Sequence, residues 1–150
     1  MDAFQYDPPM DAARVLVRDD AVLVVSKPAG LLSVPGRLAE HRDSLLVRLQ
    51  ADDPEVRLVH RLDMDTSGVM VFARTAEAQK VLSAGFAERT VEKVYRAWVA
   101  GSVEGSGAVD LPLIVDWPRR PLQKVCFETG KPALTRWRVR VRAAARLICR

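Results

Sequence analysis

Hydrophobic and polar positions alternate with a changing period along this chain, and the period marks out the elements. Arg14–Arg18 and Ala21–Ser26 are short valine-rich runs on either side of Asp19-Asp20, a pattern that predicts a hairpin. Lys27-Pro28-Ala29-Gly30 stops the second run, and Ser33-Val34-Pro35-Gly36-Arg37 continues as loop. Leu45, Leu46 and Leu49 recur at helical spacing within Ser44–Gln50, behind Asp43 or Ser44 as N-cap, and Pro54 follows the end. Arg57–His60 reads as a short strand running into a loop, and Gly68–Ala73 as a strand of the buried kind. Thr75 caps a helix over Ala76–Arg89 with Val81, Leu82 and Phe86 on one side. Lys93–Ala100 returns to strand, Gly101–Gly107 is a flexible connection, and Asp116–Pro121 is a proline-bounded loop.

The most regular pattern lies near the C-terminus. Thr135, Trp137, Val139 and Val141 alternate with Arg136, Arg138, Arg140 and Arg142, which predicts a strand with one apolar and one all-arginine face. Like charges in line repel, so such a row needs open solvent, phosphates, or acidic residues on neighbouring strands. Irregular alternation of strands with two helices predicts an α+β domain built on a mixed, mainly antiparallel sheet with flanking helices.

Composition narrows the class. With 150 residues there is room for one domain but not for two ordinary ones. Residues 1–13 read as an irregular lead-in. No apolar run approaches the ~20 residues of a membrane span, and the first residues show no basic stretch followed by an apolar core. Two cysteines, Cys126 and Cys149, give no disulfide framework, and two histidines without a CxxC give no metal-ligand set. A cytoplasmic protein with no metal is expected.

Charge adds a direction. Residues 1–75 hold 9 Lys/Arg against 12 Asp/Glu, whereas residues 76–150 hold 14 against 7. From Trp117 onward there are ten basic residues and one acidic residue, Glu128. That asymmetry marks either a face that meets polyanion or a solvated basic strand.

Reactive residues are densest in His60-Arg61-Leu62-Asp63-Met64-Asp65-Thr66-Ser67-Gly68. Here a short carboxylate, Asp63, stands two residues from a guanidinium, in a turn whose tail can satisfy its own backbone donors. A nearby arginine favours the ionised carboxylate that a nucleophile requires. The alternative is that Asp63 and Asp65 only close a turn and Arg61 makes a surface ion pair. Asp-Thr-Ser-Gly is not the aspartic-protease signature, which needs Asp-Thr-Gly twice. Lys27-Pro28-Ala29-Gly30 is not a phosphate loop, and there is no Gly-x-Gly-x-x-Gly.

The string HRLDxxTSG at His60–Gly68, preceded by SKPAGLLSVPGR at Ser26–Arg37, resembles the RluA family of pseudouridine synthases. So does Lys93-Val94-Tyr95, and the stretch Val109–Thr135 resembles the dual-specificity branch of that family. The resemblance implies the pseudouridine synthase catalytic fold, with residues 1–150 forming the N-terminal portion of one catalytic domain. It also implies RNA as partner, namely a uridine in a tRNA anticodon loop and one in a 23S rRNA hairpin, with no metal, no cofactor and a monomeric enzyme. Asp63 matches the catalytic aspartate that attacks the target uridine, so that the uracil detaches, rotates and re-bonds through carbon 5. Arg61 matches the motif arginine, which either pairs with Asp63 or fills the gap left by the extruded base. Tyr95 matches the aromatic against the uracil; without the motif it reads as a packed strand tyrosine.

RNA contacts are expected from Arg37, Arg119, Arg120, Lys124, Lys131 and the arginine row, which supply affinity rather than sequence choice. Lys27 is expected to be a surface residue or a phosphate contact, and His60 to fix the motif loop. No appended N-terminal RNA-binding domain is expected. The family's later motif, Thr-Gly-Arg followed by His-Gln-(Leu/Ile)-Arg, is absent, and RAAARLICR matches nothing expected there. The chain therefore reads as a truncated or frameshifted member, in which Arg61 or an arginine of the row substitutes for the missing basic partner of Asp63. An alternative is a catalytically impaired RNA-binding fragment.

Overall fold

The computed structural model describes residues 5–120 and 122–140. Between Val94 and Tyr95 the chain divides into two compact units.

The first unit is a four-stranded antiparallel sheet in the order β1-β2-β4-β3, formed by β1 (Arg14–Arg18), β2 (Val22–Lys27), β3 (Arg57–Leu58) and β4 (Gly68–Ala73). Asp19 closes the β1–β2 hairpin as the pattern predicts. Its carboxylate accepts from the N–H groups of Ala21 (2.8 Å) and Val22 (2.7 Å). In β2 alternate residues face inward, so Leu23, Val25 and Lys27 are all buried. Opposite them β4 contributes Met70, Phe72 and Ala73.

Helix α1 (Leu45–Asp52) starts at Ser44, whose hydroxyl accepts from the Val47 N–H, and buries Leu45 and Leu49. Helix α2 (Ala76–Ala87) starts at Thr75, which accepts from the Ala78 N–H. Leu31, Val56 and Leu62 complete the core with the leucines of α1 and the inward residues of β2 and β4.

One carboxylate ties three elements together. Asp53, at the end of α1, accepts from Arg74 after β4 (2.7 Å) and from Arg18 at the end of β1 (3.2 Å). The two guanidiniums hold its carboxyl below the usual carboxylate range, with Arg74 the larger influence.

The second unit contains two antiparallel pairs. β5 (Ser106–Asp110) pairs with β8 (Leu134–Arg138), and β6 (Leu113–Val115) pairs with β7 (Gln123–Val125). Gly107 lies opposite Trp137, whose indole occupies the space a side chain would need: a Cβ there would come within 2.8 Å of the ring. Among the described residues of this unit only Asp116 is buried.

The α+β class, the antiparallel pairing and both helix caps follow the sequence pattern. Strands β5, β6 and β7 are additions, and Gly101–Gly107 is not all connection, since Ser106 and Gly107 pair in β5 with β8. Other details differ as well. Lys93–Ala100 is not a strand, because no described residue pairs with it and a strand exists only through its ladder. The arginine strand ends at Arg138, Arg140 lies beyond it, and Arg142 falls outside the described residues. The proline-bounded loop contains a 3-10 turn, Trp117–Arg119, while Pro121 falls outside the described residues.

Candidate functional site

The segment from β3 to β4 carries the dense cluster of reactive residues, and it is fastened at four points, three of them by neighbouring side chains. The first is His60. Its Nε2 accepts from the Val71 N–H of β4 (3.1 Å), and its ring stacks on Phe86 of α2 with centroids 4.3 Å apart. Burial pushes the imidazole below the ordinary histidine range, and the Lys93 ammonium, itself 5.7 Å from the Phe86 ring, adds to the effect. A neutral ring with a free Nε2 lone pair is what the Val71 bond requires.

The second point is Leu62, the residue before Asp63. Its side chain is in the core, and both of its backbone groups bond to one hydroxyl. Ser33 Oγ donates to the Leu62 carbonyl (2.6 Å) and accepts from the Leu62 N–H (3.1 Å). Ser33 is itself buried.

The third point is Met64, the residue after Asp63. Its carbonyl accepts from the Gly30 N–H (2.9 Å) and from Lys27 Nζ (2.9 Å). The same ammonium donates to the Leu31 carbonyl (2.6 Å) and the Pro28 carbonyl (2.9 Å). All three donor sites of a fully buried lysine are thus used on backbone oxygens. Burial lowers its pKa, while the carboxylates of Asp65 and then Asp63 act in the opposite sense. Gly30 reaches its bond with φ +83°, a conformation that favours glycine.

The fourth point is internal. Thr66 N–H donates to the Asp63 carbonyl (3.1 Å), closing a turn over Met64-Asp65, and Gly68 enters β4 at φ +136°. Between these anchors Asp63 and Arg61 are exposed. No ion pair joins them among the described residues, so Asp63 is an open carboxylate on a fastened loop.

The expectation for Lys27 is corrected. It lies in the core because it continues the inward set Leu23, Val25, and its charge is accepted by carbonyls rather than by solvent or phosphate. The period-two pattern of β2 carried that signal. Ser33 had no comparable one, since nothing in a loop sequence says which backbone a serine will bond.

Tyr95 is the first residue of the second unit and is exposed. Arg37 is exposed in the first unit, after β2. The other four basic residues come together on the β6–β7 hairpin and its flanks. Arg119 pairs with the buried Asp116 (Nε to Oδ2, 2.7 Å), and the Arg120 guanidinium lies 3.9 Å from the centre of the Trp117 ring. Lys124 lies in β7, and Lys131 bridges to Leu113. On β8, Arg136 faces Ala108 and Arg138 faces Ser106, so no carboxylate stands opposite either. Among the described residues, no group of His, Cys, Asp and Glu could hold a metal ion, and no helix is long and apolar enough to cross a membrane.

Comparison with known proteins shows the family. The family model described as RNA pseudouridylate synthase matches residues 21–148. The dual-specificity RNA pseudouridine synthase RluA of Vibrio parahaemolyticus is 53% identical over 141 residues, covering 93% of this chain and 56% of the relative. The protein of the same name from Escherichia coli (strain K12) is 54% identical over 136 residues, covering 89% of this chain and 62% of the relative. The chain thus spans less than two thirds of these relatives. Among solved structures, human RNA pseudouridylate synthase domain containing 1 matches with TM-score 0.62 at 24% identity, over 87% of this chain and 54% of that one. Human RNA pseudouridylate synthase domain containing 4 matches with TM-score 0.54 at 22% identity, over 84% and 53%. These two establish likeness of fold.

Proposed function

Because the chain belongs to the RNA pseudouridylate synthase family, we propose that it isomerises uridine to pseudouridine in structured RNA, with Asp63 as nucleophile. The observation that carries this reading is the open Asp63 carboxylate on a loop fastened at Leu62 and Met64. The reaction breaks the bond between the ribose and N1 of uracil and forms one between the ribose and C5. The proton on C5 leaves and N1 acquires one, so no cofactor is consumed.

A base inside a folded RNA must leave its stack to be reached, at a cost of a few kcal/mol. In this reading Arg61, exposed beside Asp63, pairs with the carboxylate or fills the vacated place, and Tyr95 lies against the uracil. Arg37, Arg119, Arg120, Lys124 and Lys131 contact phosphates. The names of the similar RluA proteins support a dual choice of substrate. The finer proposal is therefore a uridine in a tRNA anticodon stem-loop and one in a 23S rRNA hairpin, modified by a monomer in the cytosol.

The test is tritium release from C5-labelled uridine in anticodon stem-loop RNA. The wild-type chain is expected to release label and Asp63→Ala to release none. Turnover that survives Asp63→Ala would sink the mechanism, and wild-type RNA binding without turnover would favour a binding fragment.

A further inference from the structure

The turn between β6 and β7 holds an aromatic ring that no core claims. Trp117 is 66% exposed, although tryptophan buries more apolar area than any other side chain and ordinarily sits at least partly in a core. It does not stand on a slack loop. The Asp116 N–H donates to the Leu122 carbonyl (2.9 Å), and the Leu122 and Arg119 N–H groups donate to the carbonyls of Arg119 and Asp116 (3.0 Å each). The buried Asp116 carboxylate then holds the Arg119 guanidinium. Three backbone bonds and one side-chain ion pair therefore hold the turn on which the indole is mounted.

Its other neighbour is a cation. The Arg120 guanidinium lies 3.9 Å from the ring centre, within stacking range, so a planar charge covers part of the indole while most of the residue remains in solvent. Lys124 and Lys131 follow on the same hairpin, and Arg136 and Arg138 face no carboxylate across the β5–β8 ladder. From Trp117 onward Glu128 is the only acidic residue against ten basic ones.

We propose that Trp117, backed by Arg120, is a stacking seat for an unpaired RNA base. The inference rests on the reading that this chain binds RNA and adds how the second unit recognises it. The charge calls for a polyanion, and the exposed plane calls for a polyanion with flat faces. Single-stranded nucleic acid offers both, because every base has a π-face that an indole can stack against. RNA loops present such bases splayed out, whereas a paired stem hides them. An acidic peptide would satisfy the lysines and arginines and leave the ring unused.

Two bases of discrimination follow. Stacking on Trp117 selects unpaired over paired RNA and is insensitive to salt, whereas Arg120 contributes a phosphate contact that salt weakens. Fluorescence anisotropy of the full chain against a labelled RNA stem-loop and a fully paired duplex of equal length separates them. Trp117→Leu is expected to weaken stem-loop binding by about fivefold to a hundredfold, the worth of one base stack. It should leave duplex binding and the salt slope unchanged. Trp117→Phe should keep most of the affinity, and Arg120→Ala should lower the salt slope by about one.

Stem-loop binding by Trp117→Leu equal to wild type, in a variant with the wild-type circular dichroism spectrum, overturns the seat and leaves RNA binding intact. Polyglutamate that competes as well as RNA overturns the choice of occupant. Failure of the wild-type chain to bind either RNA overturns both this inference and the functional reading beneath it.

Discussion

Ser33→Ala isolates the bond pair that holds Leu62. In the folded chain one hydroxyl serves both backbone groups of Leu62, at 2.6 and 3.1 Å, and both residues are buried. Removing the hydroxyl leaves an N–H and a C=O without partners, at about 1–3 kcal/mol each. The alanine recovers about 1 kcal/mol because a buried hydroxyl no longer has to be stripped of water. The net expected loss is about 1–5 kcal/mol. That is a large share of the roughly 5–15 kcal/mol by which domains are stable. Urea denaturation followed by circular dichroism reads it as a fall in midpoint of about 0.7–3.3 M at an m-value near 1.5 kcal/mol/M. The Leu62 amide, hydrogen-bonded to Ser33 Oγ in the wild type, should lose that bond and exchange at the rate of an open loop. Ser67→Ala, at the exposed end of the same loop, is the control and should stay within about 0.5 kcal/mol of wild type. A Ser33→Ala midpoint equal to that of Ser67→Ala would falsify the assignment of Ser33 as the anchor.

Three further outcomes are expected. Lys27→Met keeps the buried stem but deprives three carbonyls of their donor, and should cost about 3–5 kcal/mol in the same denaturation assay. His60 has a folded-state pKa below its unfolded value, so its contribution to stability is fully present above pH 6.5 and is lost as pH falls through the folded value. NMR titration should place the His60 midpoint below 6.5, and Lys93→Ala should raise it. A Cβ at Gly130 would lie 2.2 Å from the Cys126 carbonyl oxygen and 2.8 Å from the Pro112 carbonyl carbon. Gly130→Ala should therefore open the Cys126–Gly130 turn, seen as faster exchange of the Gly130 amide, which normally donates to Cys126.

The elements legible in the sequence are those whose reasons are local. Asp19 makes its hairpin, and Ser44 and Thr75 cap their helices, through bonds to residues two or three positions away. Such reach lies within any reading of a short window. Gly68–Ala73 was legible from its unbroken apolar run, although only Met70, Phe72 and Ala73 are buried and Val69 is exposed, so the strand has one open face rather than two covered ones. Lys93–Ala100 has the composition of a strand, but composition does not supply a partner. The β5 and β7 strands went unread for the converse reason. Ser106–Asp110 begins with three small residues and depends on β8, and Gln123–Val125 depends on β6.

The candidate site divides along the same line. The motif announced Asp63 and Arg61, and with them His60 as a residue that fixes the loop. Ser33 and Lys27 lie in the stretch Ser26–Arg37, but their bonds reach across 29 and 37 positions and nothing in that stretch names the partner. Of those two, Lys27 left a trace in the period of its strand, as the third member of an inward set.

The anchors at Leu62 and Met64 decide when the loop's conformational entropy is lost. Ordering a residue's backbone costs about 1–2 kcal/mol, so a slack Leu62-Asp63-Met64 would surrender about 3–6 kcal/mol on meeting a ligand. In this chain that loss occurs during folding, and Asp63 retains mainly the rotation of a short side chain. For chemistry at that carboxylate the difference corresponds to a factor of about a hundred or more in rate or affinity. It is gained by preorganisation, with no additional contact to the ligand.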